Sequence, residues 1–242
     1  VQRNGRNFGD EISPIMLEHF AELTIEWSPP EDAQIVSAGS VIDVLPAHGW
    51  RGTVAGSGKL HEEHHDLTEA NVVGLRGHLT RQTVELARRT DLVIGDPGLL
   101  AAELVPVERE RYELGVVPHW SDHELYRREL AASKRHHYAR PRLIDVTRDP
   151  LEVIAEIGSC RKIVSSSLHG LIVADSFGIP RRAERFPKMG SRWEGDTFKF
   201  DDYASALDRK IEWGRLTLAP MHKVIRIKAE LFDMFRELNF YV

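Results

Sequence analysis

Apolar and polar residues alternate with two different periods along this chain, and the switches between them lay out its elements. Residues 10–23, DEISPIMLEHFAEL, place apolar side chains at helical spacing. Residues 34–38 and 53–55 are short β-rich runs that read as strands, residues 71–75 are a third, and residues 79–89 return to helical spacing. Residues 91–94 form a further strand that empties into Gly95-Asp96-Pro97-Gly98. A second series runs from a strand at 114–118 through a helix near 122–133, a strand at 142–146 and a helix at 150–157. It ends in residues 161–180, RKIVSSSLHGLIVADSFGIP, which read as a buried strand, a polar turn and a helix.

Strands alternating with helices predict an α/β fold built on mostly parallel sheets. The charged, breaker-containing segment 105–112 is the expected crossover between two Rossmann-like lobes, residues 1–108 and 109–242. Residues 220–238 are an amphipathic stretch, expected as a helix that packs back on the first lobe. The chain opens on Val1 with a polar turn close behind, so a first strand of the N-terminal lobe is expected upstream. Open sheets of this kind bind ligands beyond the carboxyl ends of their strands, which puts the expected site in a cleft between the lobes.

Composition narrows the partners. A chain of 242 residues with 42% hydrophobic content is long enough for one large or two small cores. The formal charge of −5 gives no general attraction to nucleic acid, although residues 134–142 are locally basic, and nucleic acid is not an expected partner. Cys160 is the sole cysteine, so an intrachain disulfide is excluded and a reducing cytoplasm suits the chain. No apolar run approaches the roughly 18–20 residues of a spanning helix, so the expectation is a soluble or peripheral protein.

The chemistry-bearing residues fall on the predicted strand ends and helix starts. Ser165, Ser166, Ser167, Leu168 and His169 stand where a strand gives way to a helix, and free backbone amides there suit a phosphate or carboxylate. His169 reads either as a proton donor near a bound anion or as a satisfied core histidine. Asp10 and Glu11, in NFGDE, read as a helix cap and a dipole-compensating acid, or one of them as a general base or hydroxyl-positioning group at the cleft. Arg76 and Arg81, in GLRGHLTR, offer planar donors to an anion, or pair with acids such as Glu85. Asp96 reads as a turn residue bonding the backbone. His119, with Trp120 beside it, lies just past a strand, where an imidazole serves as acid, base or phosphate donor and an indole can stack on a sugar. Glycines in Ala38-Gly39-Ser40 and Gly56-Ser57-Gly58 read as ordinary turns or as close approaches to a ligand. His61, His64 and His65 contain an i, i+4 pair, yet a zinc site would need a further ligand that the sequence does not identify.

NFGDE, GLRGHLTR, IGDPGLL, GVVPHW, SSSLHGLIVADSFGIP and FKFDDYASAL occur in an order and spacing that resemble the polysaccharide pyruvyl transferase family, from about Asn7 to Leu207. The resemblance implies two lobes in a GT-B-like arrangement with the site between them. It implies transfer of the pyruvyl group of phosphoenolpyruvate to a sugar of a polysaccharide or its lipid-linked precursor, forming a ketal and releasing phosphate. His169 matches the family histidine as the acid. Arg76, Arg81, His119 and the region Ser166, Ser167 and Leu168 are then the donor contacts, with Asp10 or Glu11 orienting the acceptor. Phosphoenolpyruvate is a co-substrate, and the scheme calls for no cofactor or metal. The implied location is the cytoplasm, at the inner face of the membrane. Many members carry arginine directly before the Leu-His pair; this chain has Ser167 there, so another basic residue must supply that charge. Two other classes use the same layout: a GT-B-type nucleotide-sugar glycosyltransferase and a non-catalytic glycan-binding member.

Overall fold

The computed structural model describes residues 7–87, 91–106, 111–132, 141–185 and 197–238. In chain order the elements are α1 (Phe8–Phe20), β1 (Ile35–Val36), β2 (Thr53–Ser57), β3 (His65–Asp66), β4 (Asn71–Leu75), α2 (His78–Thr83), β5 (Val84–Glu85) and β6 (Val93–Ile94), followed by a 3₁₀ segment, Pro97–Glu103. Then come β7 (Gly115–Val117), α3 (His123–Ala132), β8 (Arg142–Leu143), α4 (Pro150–Gly158), β9 (Ile163–Ser165), α5 (Leu168–Ser176), β10 (Arg181–Ala183), α6 (Phe198–Ala206), β11 (Leu216–Thr217) and α7 (Met221–Leu238).

Two sheets carry the α/β fold. The first, ordered β1-β2-β4-β6, is parallel throughout. The second, ordered β11-β10-β9-β7-β8, is parallel except for the antiparallel edge pair β10 and β11. Local sequence explains most starts and stops. Asn7 caps α1, its Oδ1 accepting from Gly9 N at 3.3 Å. Asp149 caps α4 by accepting from Leu151 N and Glu152 N, with Pro150 pre-set at the first helical position. Such a cap is worth about 0.5–2 kcal/mol.

Three expectations are corrected. The helix expected over 79–89 stops at Thr83, because Val84 and Glu85 pair with His65 and Asp66 in a small two-stranded parallel ribbon. The strand expected over 142–146 pairs only through Leu143, and Ile144 and Val146 continue into the core. The cap of α1 is Asn7 rather than Asp10, which stands in the first turn with Glu11. The basic stretch before Pro141 and the middle of the 105–112 crossover lie outside the described residues.

A single apolar cluster joins the two sheets. It runs from Ala55 and the 3₁₀ residues Leu99 and Leu100, through Phe8 and Ile12 of α1, to Val117, Ile163, Leu171 and Ile172. Burying an aliphatic side chain of this kind stabilises the fold by about 1.5–3 kcal/mol. α7 closes the first sheet with Val224, Ile227 and Leu231 buried, and a Cβ at Gly95 would stand 2.2 Å from Ile227 Cγ2, so only glycine admits the helix there. A smaller cluster of Trp50, Val54, Leu67, Val72 and Val84 fills the space over the first sheet. No helix among the described residues is long and apolar enough to cross a membrane.

Candidate functional site

The carboxyl ends of both sheets converge on α5. From the first sheet come Arg76, just past β4, and Asp96, just past β6; from the second come His119, past β7, and the serines past β9. The 3₁₀ segment after β6 packs directly on α5, and α1 lies against both. That contact brings residues of two separate sheets to one place.

The turn before α5 is held by its own serines. Ser165 Oγ lies 2.8 Å from Val117 O and 2.8 Å from Ser167 O, and accepts from Ser167 N at 3.0 Å. Ser166 N donates to Val117 O, and Ser166 Oγ accepts from His119 N at 2.8 Å while standing 3.3 Å from Asp122 Oδ2. Ser166 and Ser167 therefore use their amides and shape the turn. Ser167 is the cap residue of α5, yet its hydroxyl makes no capping bond. The amides of Leu168, His169 and Gly170 open the helix, and the positive end of its dipole meets whatever binds there.

His169 sits at the second position of α5, 9% exposed, and its Nε2 has no hydrogen-bond partner among the described residues. Phe8 meets the ring edge-on at 6.3 Å, and a Cβ at Gly9 would stand 2.4 Å from His169 Nδ1. Burial lowers the imidazole pKa to about 3, with the positive charges of Arg76 and Lys199 adding to the effect. His169 is thus a buried, neutral imidazole with an unspent polar atom, which a satisfied core histidine would not have.

Arg76 is fully buried. Its Nε donates to Asp202 Oδ2 at 2.8 Å, Nη1 to Ser40 Oγ at 2.5 Å and Nη2 to Lys59 O at 2.5 Å. Its partner is Asp202 of α6, not Glu85, and Asp202 also accepts from Thr80 N and Thr80 Oγ1, both at 2.7 Å. Both glycines of Gly56-Ser57-Gly58 make close approaches within the protein: a Gly58 Cβ would stand 2.3 Å from Arg76 Cζ, and a Gly56 Cβ 2.5 Å from Pro97 Cδ. Arg81, in the last turn of α2, is half-buried.

Asp10 faces outward from the first turn of α1, bonded to Asn7 Nδ2 at 3.1 Å; its carboxyl is lifted above its ordinary pKa by desolvation, against the pull of that bond and of Lys199. Glu11 follows it in the same turn. His119 is fixed by the bond between its Nδ1 and Ser121 Oγ at 2.9 Å, with Ser121 Oγ donating to buried Asp122 at 2.8 Å. Trp120 beside it is exposed. His61 and His64 point to solvent, whereas His65 turns inward, its pKa lowered by burial and by Lys59.

Sequence reasoning passed over Asp202 and Lys199, although both lie in the FKFDDYASAL stretch it quoted. It read Asp96 as a turn residue, and Oδ1 does accept from Gly98 N at 2.8 Å. The rest of that carboxyl does something else: Asp96 is fully buried and its Oδ2 has no partner among the described residues.

Comparison with known proteins gives the site a context. The polysaccharide pyruvyl transferase family profile matches residues 47–183, more than half of the chain, so the Asn7 and Phe198 motifs lie outside the matched span. The chain is 38% identical over 206 residues to the uncharacterized protein L143 of Acanthamoeba polyphaga mimivirus, covering 82% of this chain and 70% of that protein. It is 28% identical over 213 residues to the succinoglycan biosynthesis protein ExoV of Rhizobium meliloti (strain 1021), covering 83% of this chain and 61% of that one. No solved structure matches the chain.

Proposed function

Since the chain belongs to the polysaccharide pyruvyl transferase family, we propose that it moves the pyruvyl group of phosphoenolpyruvate onto a sugar of a polysaccharide or its lipid-linked precursor. The product is a pyruvate ketal, and phosphate is released. We take the two sheets as facing lobes of a GT-B-like arrangement, divided near residue 108, with the site where the 3₁₀ segment meets α5. The similarity to a succinoglycan biosynthesis protein supports a role in making a polysaccharide of that kind; a lipid-linked acceptor would put the work at the inner face of the cytoplasmic membrane.

The observation that carries the reading is the buried, unpartnered His169 Nε2 at the head of α5. An anion at the Leu168–Gly170 amides would stand beside that imidazole. A unit negative charge about 4 Å away is worth about 4 kcal/mol at an effective dielectric constant of 20, or about three pKa units. That is enough to lift His169 from about 3 toward neutrality once the donor is bound. His169 then protonates the donor's methylene carbon while a sugar hydroxyl attacks the adjacent carbon, and the hydroxyl's own proton returns to the imidazole that has just given one up. In the second half a neighbouring hydroxyl displaces phosphate, which leaves with that hydroxyl's proton. The charges of Arg76 and Lys199, together with Arg81 and His119, stand in for the arginine replaced by Ser167 and stabilise the donor's carboxylate and departing phosphate. Asp10 or Glu11 orients the acceptor hydroxyls.

Thermal unfolding with and without ligand tests this. Phosphoenolpyruvate at a hundred times its dissociation constant should raise the midpoint by about 5–10 °C in a chain of this size. His169→Ala should keep the fold and lose formation of the pyruvylated saccharide. Stabilisation by a nucleoside diphosphate sugar in place of phosphoenolpyruvate would instead make the chain a glycosyltransferase. Stabilisation by glycan alone would make it a binding member of the family.

A further inference from the structure

Two polar atoms near the site are buried and lack a partner among the described residues: Oδ2 of Asp96, from the first sheet, and Nε2 of His169, from the second. One residue separates them. A Cβ placed at Gly98 would stand 3.0 Å from Asp96 Oδ1 and 3.8 Å from His169 Cδ2, the ring carbon bonded to Nε2. An unpaired polar atom in the interior is unfavourable, so a fold that leaves one open on each side of Gly98 has a use for them.

We propose that Asp96 is the acid–base partner of His169, its Oδ2 holding the proton that the imidazole passes to the donor. This rests on the pyruvyl transfer reading above. Before the donor binds, any proton the pair holds resides on the carboxyl. Burial and the negative charge of Asp202 push Asp96 up to about 6, against the opposing charge of Arg76 and the Gly98 N–H. Burial, Arg76 and Lys199 hold His169 at about 3, so the carboxyl is the more basic of the two. Other charged and titratable groups face the pair. Arg76 comes from the end of β4, Asp202 and Lys199 from α6, and Tyr203 feels the Asp96 charge from α6.

Donor anions reverse the order by favouring the imidazolium, and the pair's proton shifts from the Asp96 carboxyl to the His169 imidazole across the space beside Gly98, by a relay rather than a direct bond, since Oδ2 and Nε2 are not hydrogen-bonded to one another. The imidazolium gives it to the methylene carbon as the sugar oxygen bonds to the neighbouring carbon. The attacking hydroxyl's proton returns to the pair, so the addition neither consumes nor releases a proton. Groups whose environments push their pKa values apart in this way divide acid and base roles.

Asp96→Asn is the variant to make, because its side-chain oxygen can still accept from Gly98 N and keep the turn capped. Asp96→Ser is the reserve if the amide fails to fold. In ligand-free wild type, the carbon-bound proton of the His169 ring should show a chemical-shift inflection near pH 6 that Asp96→Asn abolishes. Its absence from wild type, or its persistence in the variant, overturns the pairing. With phosphoenolpyruvate and an accepted saccharide, Asp96→Asn should lower turnover by about 100-fold or more while keeping the donor-induced thermal shift. Turnover within threefold of wild type overturns the proposal. If wild type neither binds phosphoenolpyruvate nor yields a pyruvylated saccharide, the functional reading has failed, and the ring titration alone decides whether Asp96 and His169 act together.

Discussion

At the scale of single residues, the behaviour of His169 follows from what touches it. Gly9 lies so close to Nδ1 that any side chain there must push the ring aside. Gly9→Ala should cost about 1–3 kcal/mol of stability by overpacking. Displacing the imidazole by about 1 Å should also lower turnover by about 100-fold, measurable as a fall in kcat in a variant whose melt remains cooperative. The protonation state of His169 gives a second test. It is neutral in the free protein at pH 7, since burial holds its pKa at about 3, and donor binding should draw a proton onto the pair. Calorimetry of phosphoenolpyruvate binding in buffers of different ionisation enthalpy should report net proton uptake at pH 7, and His169→Gln should abolish it. Local reading put His169 at the head of a helix beside an anion site, but burial, Arg76 and Lys199 come from other elements, so its neutral resting state was not legible.

At the scale of elements, α2 and α6 are tied by one carboxylate. Asp202 satisfies the Arg76 guanidinium, the Thr80 amide and the Thr80 hydroxyl, and all are buried. Removing one member of a buried pair leaves the other charge uncompensated, at a cost of about 3–5 kcal/mol. Asp202→Ala should show that loss in urea unfolding, while changing exposed Glu124, which pairs with Arg127 and Arg128 on the surface of α3, to Ala should leave the urea midpoint close to that of wild type. The same elements show the reach of local pattern. Residues 71–75 were expected as a strand and are β4, because a β-branched pair in a short run carries its own signal. α2 ended early because β5 had a partner in β3, about 19 residues away in sequence, and such pairing has no local mark.

At the scale of the molecule, the two buried groups oppose one another in the pH dependence of stability. The slope with pH is proportional to protons bound by the unfolded chain minus those bound by the native one. For His169, between about pH 3 and 6.5, the unfolded chain binds more, so stability rises with pH and is lost on acidification through that window. For Asp96, between its unfolded value of about 4 and its folded value of about 6, the native state binds more, so stability falls as pH rises. The contributions offset one another between about pH 4 and 6. Asp96→Asn removes one of them, so its stability should fall more steeply than wild type on acidification over that range. The difference should approach about 1.4 kcal/mol per pH unit, read from urea melts at each pH. Equal slopes would show that Asp96 ionises in the native state as it does in the unfolded chain.

The sequence by itself determined the alternation of strands and helices, the serine turn with its Leu-His-Gly helix start, and the motif order that resembles its family, because each is written in neighbouring residues through period, capping chemistry and turn residues. Tertiary structure alone decided that Arg76 is anchored by Asp202, 126 residues along the chain, and that the end of β6 meets the head of α5. It also decided that Asp96 and His169 share one buried pocket of charge. Those outcomes depend on desolvation and on charges brought together by packing, and neither quantity exists until the two sheets have closed over a common core.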